Sequence, residues 1–354
     1  MPNQEHLHDL LLEGLLLEWQ RVVKLLQNRR LVSIYFGGGT PSLFGAKRLQ
    51  KLLNTILTSP ILLSPFLEIT LEANPEKIDL KLMQAYAEIG INRLSIGVQS
   101  FDDQLLKILG RVHSAKMAKE AIFTAVKAGI DNITIDLMYE LPHQTVQQWQ
   151  QTLNEVQELP ITHLSLYNLT IEPQTLFYKK RHSLALVRPN QEESLEMYLS
   201  AVNTFKAQGL KQYEISAFAK EGFASQHNSG YWTARPFLGL GPSAFSFWNQ
   251  QRFQNIANLN KYYKLLASGQ SPVDFKEALS SNALRRELLV IHLRLTKGVD
   301  LTHFQHTHGN LDKETLDALE KLKSQRLLIT TEKNVIKLSD LGLLYHDAIA
   351  EELI

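Results

Sequence analysis

Apolar side chains between His6 and Gln27 fall at Leu7, Leu10, Leu11, Leu15, Trp19, Val22, Val23 and Leu26, a helical spacing that predicts one amphipathic helix. Val32 to Phe36 follows, a short β-rich run that stops at three glycines. Similar runs at Leu67–Leu71, Arg93–Val98, Asn132–Leu137 and His163–Tyr167 alternate with helical patterns at 45–58, 79–89, 114–128 and 145–158. Their starts lie about 26 to 39 residues apart, room for a strand, a crossover helix and two loops. Units of this kind in tandem predict a parallel sheet, either wound open or curled into a barrel. The opening helix has no strand before it, so a first strand is expected to be lost or supplied elsewhere.

The pattern changes after Pro173. A helix is predicted over 191–208, then a run Tyr213–Ser216, then an irregular stretch from Phe218 to Asn258 rich in Gly, Asn and aromatic residues. Helices over 277–295 and 311–323 precede two strand candidates, Arg326–Thr331 and Val335–Leu338, separated by Glu332-Lys333-Asn334. This reads as a small winged-helix-like module. A structural cap is the favoured reading, because 311–323 carries few of the Arg, Asn and Gln residues that read bases. The expected division is 1–215 for the β/α part, 216–272 for an irregular extension and 273–354 for the C-terminal module.

Composition narrows the function. The 354 residues are 44% hydrophobic and 21% charged, with 37 basic against 36 acidic side chains. That balance excludes a disordered chain and gives no field to hold a polyanion, so no nucleic-acid partner is expected. Cysteine is absent, which removes disulfides, thiolate nucleophiles and Cys-ligated metals from this chain. The apolar stretch Leu10 to Trp19 is broken by Glu13 and Glu18 and falls short of the roughly 20 residues of a membrane span. No integral membrane segment is expected, and the location is expected to be cytoplasmic.

In β/α sheets ligands sit where the strands end. The first run exits into Gly37-Gly38-Gly39-Thr40-Pro41, where missing Cβ atoms let backbone groups approach a ligand, although a tight strand exit would need the same glycines. The next ends place Glu72, Gln99 and Asp136 at the rim. A carboxylate inside the apolar run Ile133–Leu137 needs a cation, donors or a ligand. Each alone also reads as a structural partner; their agreement on successive strands favours a site. Arg111 is placed to neutralise an anionic ligand group. A second constellation is His227-Asn228-Ser229-Gly230-Tyr231-Trp232, an imidazole with flat aromatic neighbours that suits a porphyrin. A histidine packed in a loop has the same composition.

Taken in order, Tyr35-Phe36-Gly37-Gly38-Gly39-Thr40-Pro41-Ser42, Glu72-Ala73-Asn74-Pro75-Glu76, the run Asn92 to Phe101 and Ile135-Asp136-Leu137-Met138-Tyr139 resemble the radical S-adenosylmethionine proteins of the oxygen-independent coproporphyrinogen III oxidase group. Residues 227–232 match the HNxxYW signature of its HemW branch, described as haem chaperones. The resemblance implies a partial (β/α)6 radical SAM barrel, here missing its first strand, with a C-terminal helical winged-helix-like module. It carries Gly38, Gly39, Thr40, Glu72, Gln99, Arg111 and Asp136 onto S-adenosylmethionine positions, and His227 onto the haem-binding residue, a candidate iron ligand.

Departures accompany the match. The family carries a CxxxCxxC loop whose thiolates hold a [4Fe-4S] cluster; this chain has no cysteine, and an absent N-terminal segment is the expected explanation. Glu140 stands where Gly is usual, and Phe245 where His is common. The expected function is haem binding and transfer to an acceptor protein, with S-adenosylmethionine binding weakened by the missing cluster. The alternatives are radical decarboxylation of coproporphyrinogen III, which needs a cluster loop upstream, and a decayed relative without activity.

Overall fold

The computed structural model describes residues 2–354 except Glu172, Gln174, Thr175, Lys180, Leu186, Glu332 and Lys333. Its main sheet has seven strands: β1 (Arg30–Phe36), β2 (Leu62–Ala73), β3 (Arg93–Gln99), β4 (Ile133–Tyr139), β5 (His163–Asn168), β6 (Lys211–Glu214) and β7 (Ala217–Ala219), in the order β1-β2-β3-β4-β5-β7-β6. β2 to β5 pair in parallel, joined by the helices α3 (Leu80–Glu88), α4 (Asp103–Ile108), α5 (Ala115–Lys127) and α6 (Val146–Gln157); α1 (Pro2–Val22) and α2 (Ala46–Leu57) precede them. The parallel-dominated sheet is of the partial-barrel type, as expected. It ends differently: β7 runs antiparallel to both β5 and β6. Only Ile215 and Ser216 separate β6 from β7, far too short for a crossover, so the chain has to turn back as a hairpin.

The chain divides into two compact units, Met1–Val32 with Lys47–Phe66 and Ser225–Ile354, and Ser33–Ala46 with Leu67–Ala224. In the second, the strands have two unlike faces because side chains alternate. Ile69, Leu71, Leu94, Ile96, Val98, Ile133, Ile135, Leu137, Leu164 and Leu166 form one face and are buried, as are Met83, Tyr86, Ile122, Trp149 and Leu153 on the crossover helices. The other face is polar: Glu68, Thr70 and Glu72 on β2, Arg93, Ser95 and Gln99 on β3, Thr134 and Asp136 on β4, His163 and Ser165 on β5.

A buried cation closes this polar face at the strand starts. Arg93 donates to Asn132, Thr134 and the Phe223 carbonyl at 3.0, 2.8 and 3.0 Å, and faces Glu68 at 3.7 Å. Satisfaction on this scale is what a guanidinium out of water requires.

In the first unit a carboxylate plays the corresponding part. Buried Glu18 of α1 accepts from the Gly241 amide at 2.8 Å, the Asn255 side chain at 2.7 Å and the Tyr262 hydroxyl at 2.6 Å. Burial raises its pKa against the pull of those donors. Residues 216–272 are not the irregular extension expected. They hold β7, a helix Gln226–Trp232, the strands β8 (Phe245–Trp248) and β9 (Gln251–Asn255), and a helix Leu259–Ala267. β8 and β9 join through Asn249 and Gln250, both at positive φ, a two-residue hairpin turn in which no glycine announces the bend. β10 (Val273–Ala278) completes that sheet.

The C-terminal part runs helix Ser281–Leu293, β11 (Val299–Asp300), helices Leu301–His308 and Lys313–Ser324, then β12 (Leu328–Thr331) and β13 (Val335–Leu338), with sheet order β11-β13-β12. This is the helix-and-ribbon order expected; Glu332 and Lys333 of its turn lie outside the described residues. Among the described residues no helix is long and apolar enough to cross a membrane.

Candidate functional site

At the ends of β1 to β4 the polar face opens into a cavity of about 210 Å³. Gly39, Thr40, Glu72, Asn74, Ser95, Gly97, Gln99, Arg111 and Asp136 line it. Gly38 sits beside it: its amide donates to Glu72 Oε2 at 3.1 Å, while the Tyr35 hydroxyl donates to Oε1 at 2.8 Å. Glu72 thereby fixes the glycine turn to the end of β2. A Cβ at Gly37 would come within 2.6 Å of the Tyr35 ring and 3.0 Å of Glu72 Oε1, so a side chain there would push the ring off its carboxylate partner. Burial, reinforced by the Glu72 carboxylate, drives the Tyr35 phenol pKa far above its ordinary value, and the hydroxyl stays a donor.

Gln99 is placed by a strained turn. Its φ is 69°, and the Ser100 amide donates across it to the Val98 carbonyl at 2.9 Å, a three-residue γ-turn of the rare positive-φ kind. Strain of this sort persists only where the surroundings over-determine it. Gly97 matters for another reason: a Cβ there would lie 3.2 Å from Gln99 Nε2, 3.6 Å from Asn74 Oδ1 and 4.0 Å from the Arg111 guanidinium, so any side chain would occupy the cavity itself.

Burial pushes the Asp136 carboxyl up to about 6; Ser165 and Ser95 hydrogen bonds and the Arg111 charge oppose the rise, and Glu72 adds to it. The cavity therefore presents two carboxylates, one guanidinium, two side-chain amides and two hydroxyls. A ligand carrying both an anionic and a cationic group matches that set. Sequence reasoning had missed Tyr35, Asn74, Ser95 and Ser165. The signal was present as polar residues every second position within the apolar runs. Glu140 takes φ 59°, which accounts for the glycine common there, and it is held by an ion pair to Arg188 at 2.8 Å.

His227 lies in the first unit, on the short helix Gln226–Trp232 capped by Ser225. Its Nε2 is 2.8 Å from the Tyr231 hydroxyl one turn on, and the two rings meet edge to face with centroids 5.0 Å apart. Tyr231 in turn packs on Phe237 at 4.6 Å, and the Arg294 guanidinium lies 4.2 Å from the Trp232 ring centre. Burial, with the Arg235 charge second, lowers the His227 pKa to about 4, so the ring is neutral at pH 7 and keeps a lone pair. Phe245, where the family often has His, is half exposed and meets Phe275 edge-on at 6.4 Å.

The sequence model of the radical SAM superfamily matches residues 13–156, and that of the HemN C-terminal domain matches 279–345. The heme chaperone HemW of Bacillus subtilis is 34% identical over 306 residues, which is 86% of this chain and 81% of that protein. This chain belongs to the HemW-type radical SAM family. Another relative is radical S-adenosyl methionine domain-containing protein 1, mitochondrial, of Danio rerio, 33% identical over 97% of this chain and 79% of its own. The coproporphyrinogen III oxidase HemN from Escherichia coli, a radical SAM enzyme, shares the fold, with a TM-score of 0.84 and 23% identity over 99% of this chain and 84% of its own. One family element does not fit the residues present. The chain has no cysteine, and among the described residues no three His, Asp or Glu side chains are grouped to hold a metal. No iron–sulfur cluster is held by these residues of this HemW-type chain.

Proposed function

We propose that this chain binds haem and passes it to an acceptor protein. The reading is carried by 34% identity, over most of both chains, to a protein named a heme chaperone. His227 is the proposed contact with the haem iron: its imidazole is neutral at physiological pH and stands among Tyr231, Trp232 and Phe237. Titration of the full chain with haem is the test. A saturable change in the Soret band, followed by transfer to an apo-globin acting as haem sink, is expected; a featureless titration overturns the proposal.

S-adenosylmethionine is the proposed ligand of the cavity in the second unit. Arg111 suits its carboxylate, while Glu72 and Asp136 suit its ammonium, sulfonium or ribose hydroxyls. Bound in this way it would supply a methionine-linked sulfonium, held without the iron that chelates it elsewhere in the family.

The Asp136 shift gives this proposal a pH signature. Because its folded pKa is raised to about 6, the stability this group contributes is present at low pH and lost as pH rises through that value. A bound cation favours the ionised form instead. Affinity for S-adenosylmethionine should therefore rise about tenfold between pH 5 and pH 7, and Asp136→Asn should flatten that dependence. Calorimetric titration across the interval reads it; a wild-type profile without slope would separate Asp136 from the ligand's charge.

A further inference from the structure

His113 is buried, lines no part of the cavity and belongs to none of the assigned positions. Its Nε2 lies 3.1 Å from the Val98 carbonyl, which can only accept, so this nitrogen carries the hydrogen. Its Nδ1 faces Glu76 Oε2 at 3.6 Å, an ion pair when the ring carries both hydrogens. These two contacts reach different parts of the site. The Val98 carbonyl also receives the Ser100 amide, so it is the anchor of the strained turn at Gln99. Glu76 continues the exit of β2, four residues beyond Glu72, and His113 itself stands two residues beyond Arg111. Val112 between them is 79% exposed and gives the loop no packing.

We infer that His113 is a positioning residue that sets Gln99 and Arg111 for the cavity ligand by tying three loops to one imidazole. The inference rests on the reading of the cavity as an S-adenosylmethionine site. Its logic is that of a strained turn with two anchors. Without the imidazole donor, the Val98 carbonyl loses the partner it has beside the Ser100 amide, and relaxation of Gln99 toward ordinary φ would carry its side chain out of the cavity. The same loss would release Arg111 from the β2 exit.

The test compares two variants by calorimetric titration of the full chain with S-adenosylmethionine. His113→Leu keeps most of the volume and removes both polar contacts; His113→Gln places an amide donor near the Nε2 position. Affinity should fall about fivefold or more in the leucine variant, the equivalent of one buried hydrogen bond, and return to within about twofold in the glutamine variant. Wild-type affinity in His113→Leu, or equal losses in both, would show that only packing matters and overturn the inference. Should the leucine variant fail to fold, Glu76→Ala, which removes any partner for Nδ1, decides: a loss of about threefold is expected, and unchanged affinity overturns the coupling. A wild-type chain that binds no S-adenosylmethionine would remove the cavity reading itself, an outcome distinct from failure of the histidine variants alone.

Discussion

His227→Ala is expected to abolish the Soret shift that haem produces with the wild-type chain and to weaken haem binding by about 100-fold. That figure is the upper end of what losing support around a metal costs, appropriate when the donor itself is removed. The structural grounds are specific. A pKa near 4 means that iron need not compete with a proton at pH 7, so wild-type affinity should be flat from pH 8 down to 5 and fall only as the ring protonates. The nitrogen seen by Tyr231 is Nε2, which leaves two arrangements. Either Nε2 donates to the hydroxyl and Nδ1 meets the iron, with Tyr231 orienting the ring, or iron displaces the hydroxyl from Nε2. Tyr231→Phe separates them: the first predicts a weaker, spectrally shifted complex, the second a tighter one. An absorption spectrum unchanged in His227→Ala would remove this residue from the site.

Arg111→Ala is expected to lower S-adenosylmethionine affinity by about 10- to 100-fold, the range for a charge-assisted hydrogen bond to a carboxylate. Binding of 5′-methylthioadenosine, which lacks the amino-acid end, should stay within about twofold of wild type. The contrast matters because Arg111 also opposes the raised pKa of Asp136, and a purely electrostatic role would disturb both ligands. Arg111→Lys should recover little, since an ammonium cannot present two parallel donors. Equal losses for the two ligands would place Arg111 away from the carboxylate.

Much of the second unit was legible in sequence because each crossover helix and strand repeats one period. β3 and β5 begin at the expected residues Arg93 and His163, and α3, α5 and α6 fall within a residue or so of their predicted spans. β2 is much longer than its predicted core, starting at Leu62, since Pro65 reads as a strand breaker and hides the leading part. The hairpin β6–β7 was missed for a different reason: three-residue β7 is too short to show alternation. The HNxxYW segment was taken for loop. Its Ser225 cap and seven-residue helix give too few turns for a period to emerge, and with the helix unseen the one-turn pairing of His227 with Tyr231 was unseen too. At the rim, Glu72, Gln99 and Asp136 were found because charge or amide groups interrupt apolar runs. His113 was not, because its meaning lies in contacts to residues 15 and 37 positions away.

The two-faced sheet has a thermodynamic consequence. One side is packed with aliphatic chains, whereas the side bearing the cavity offers carboxylates, a guanidinium, amides and hydroxyls. A molecule entering there exchanges contacts with water for contacts with fixed dipoles and removes little hydrocarbon surface from solvent. Its association is then governed by enthalpy, with a small heat-capacity change, and cooling or warming the solution leaves its heat of association nearly constant.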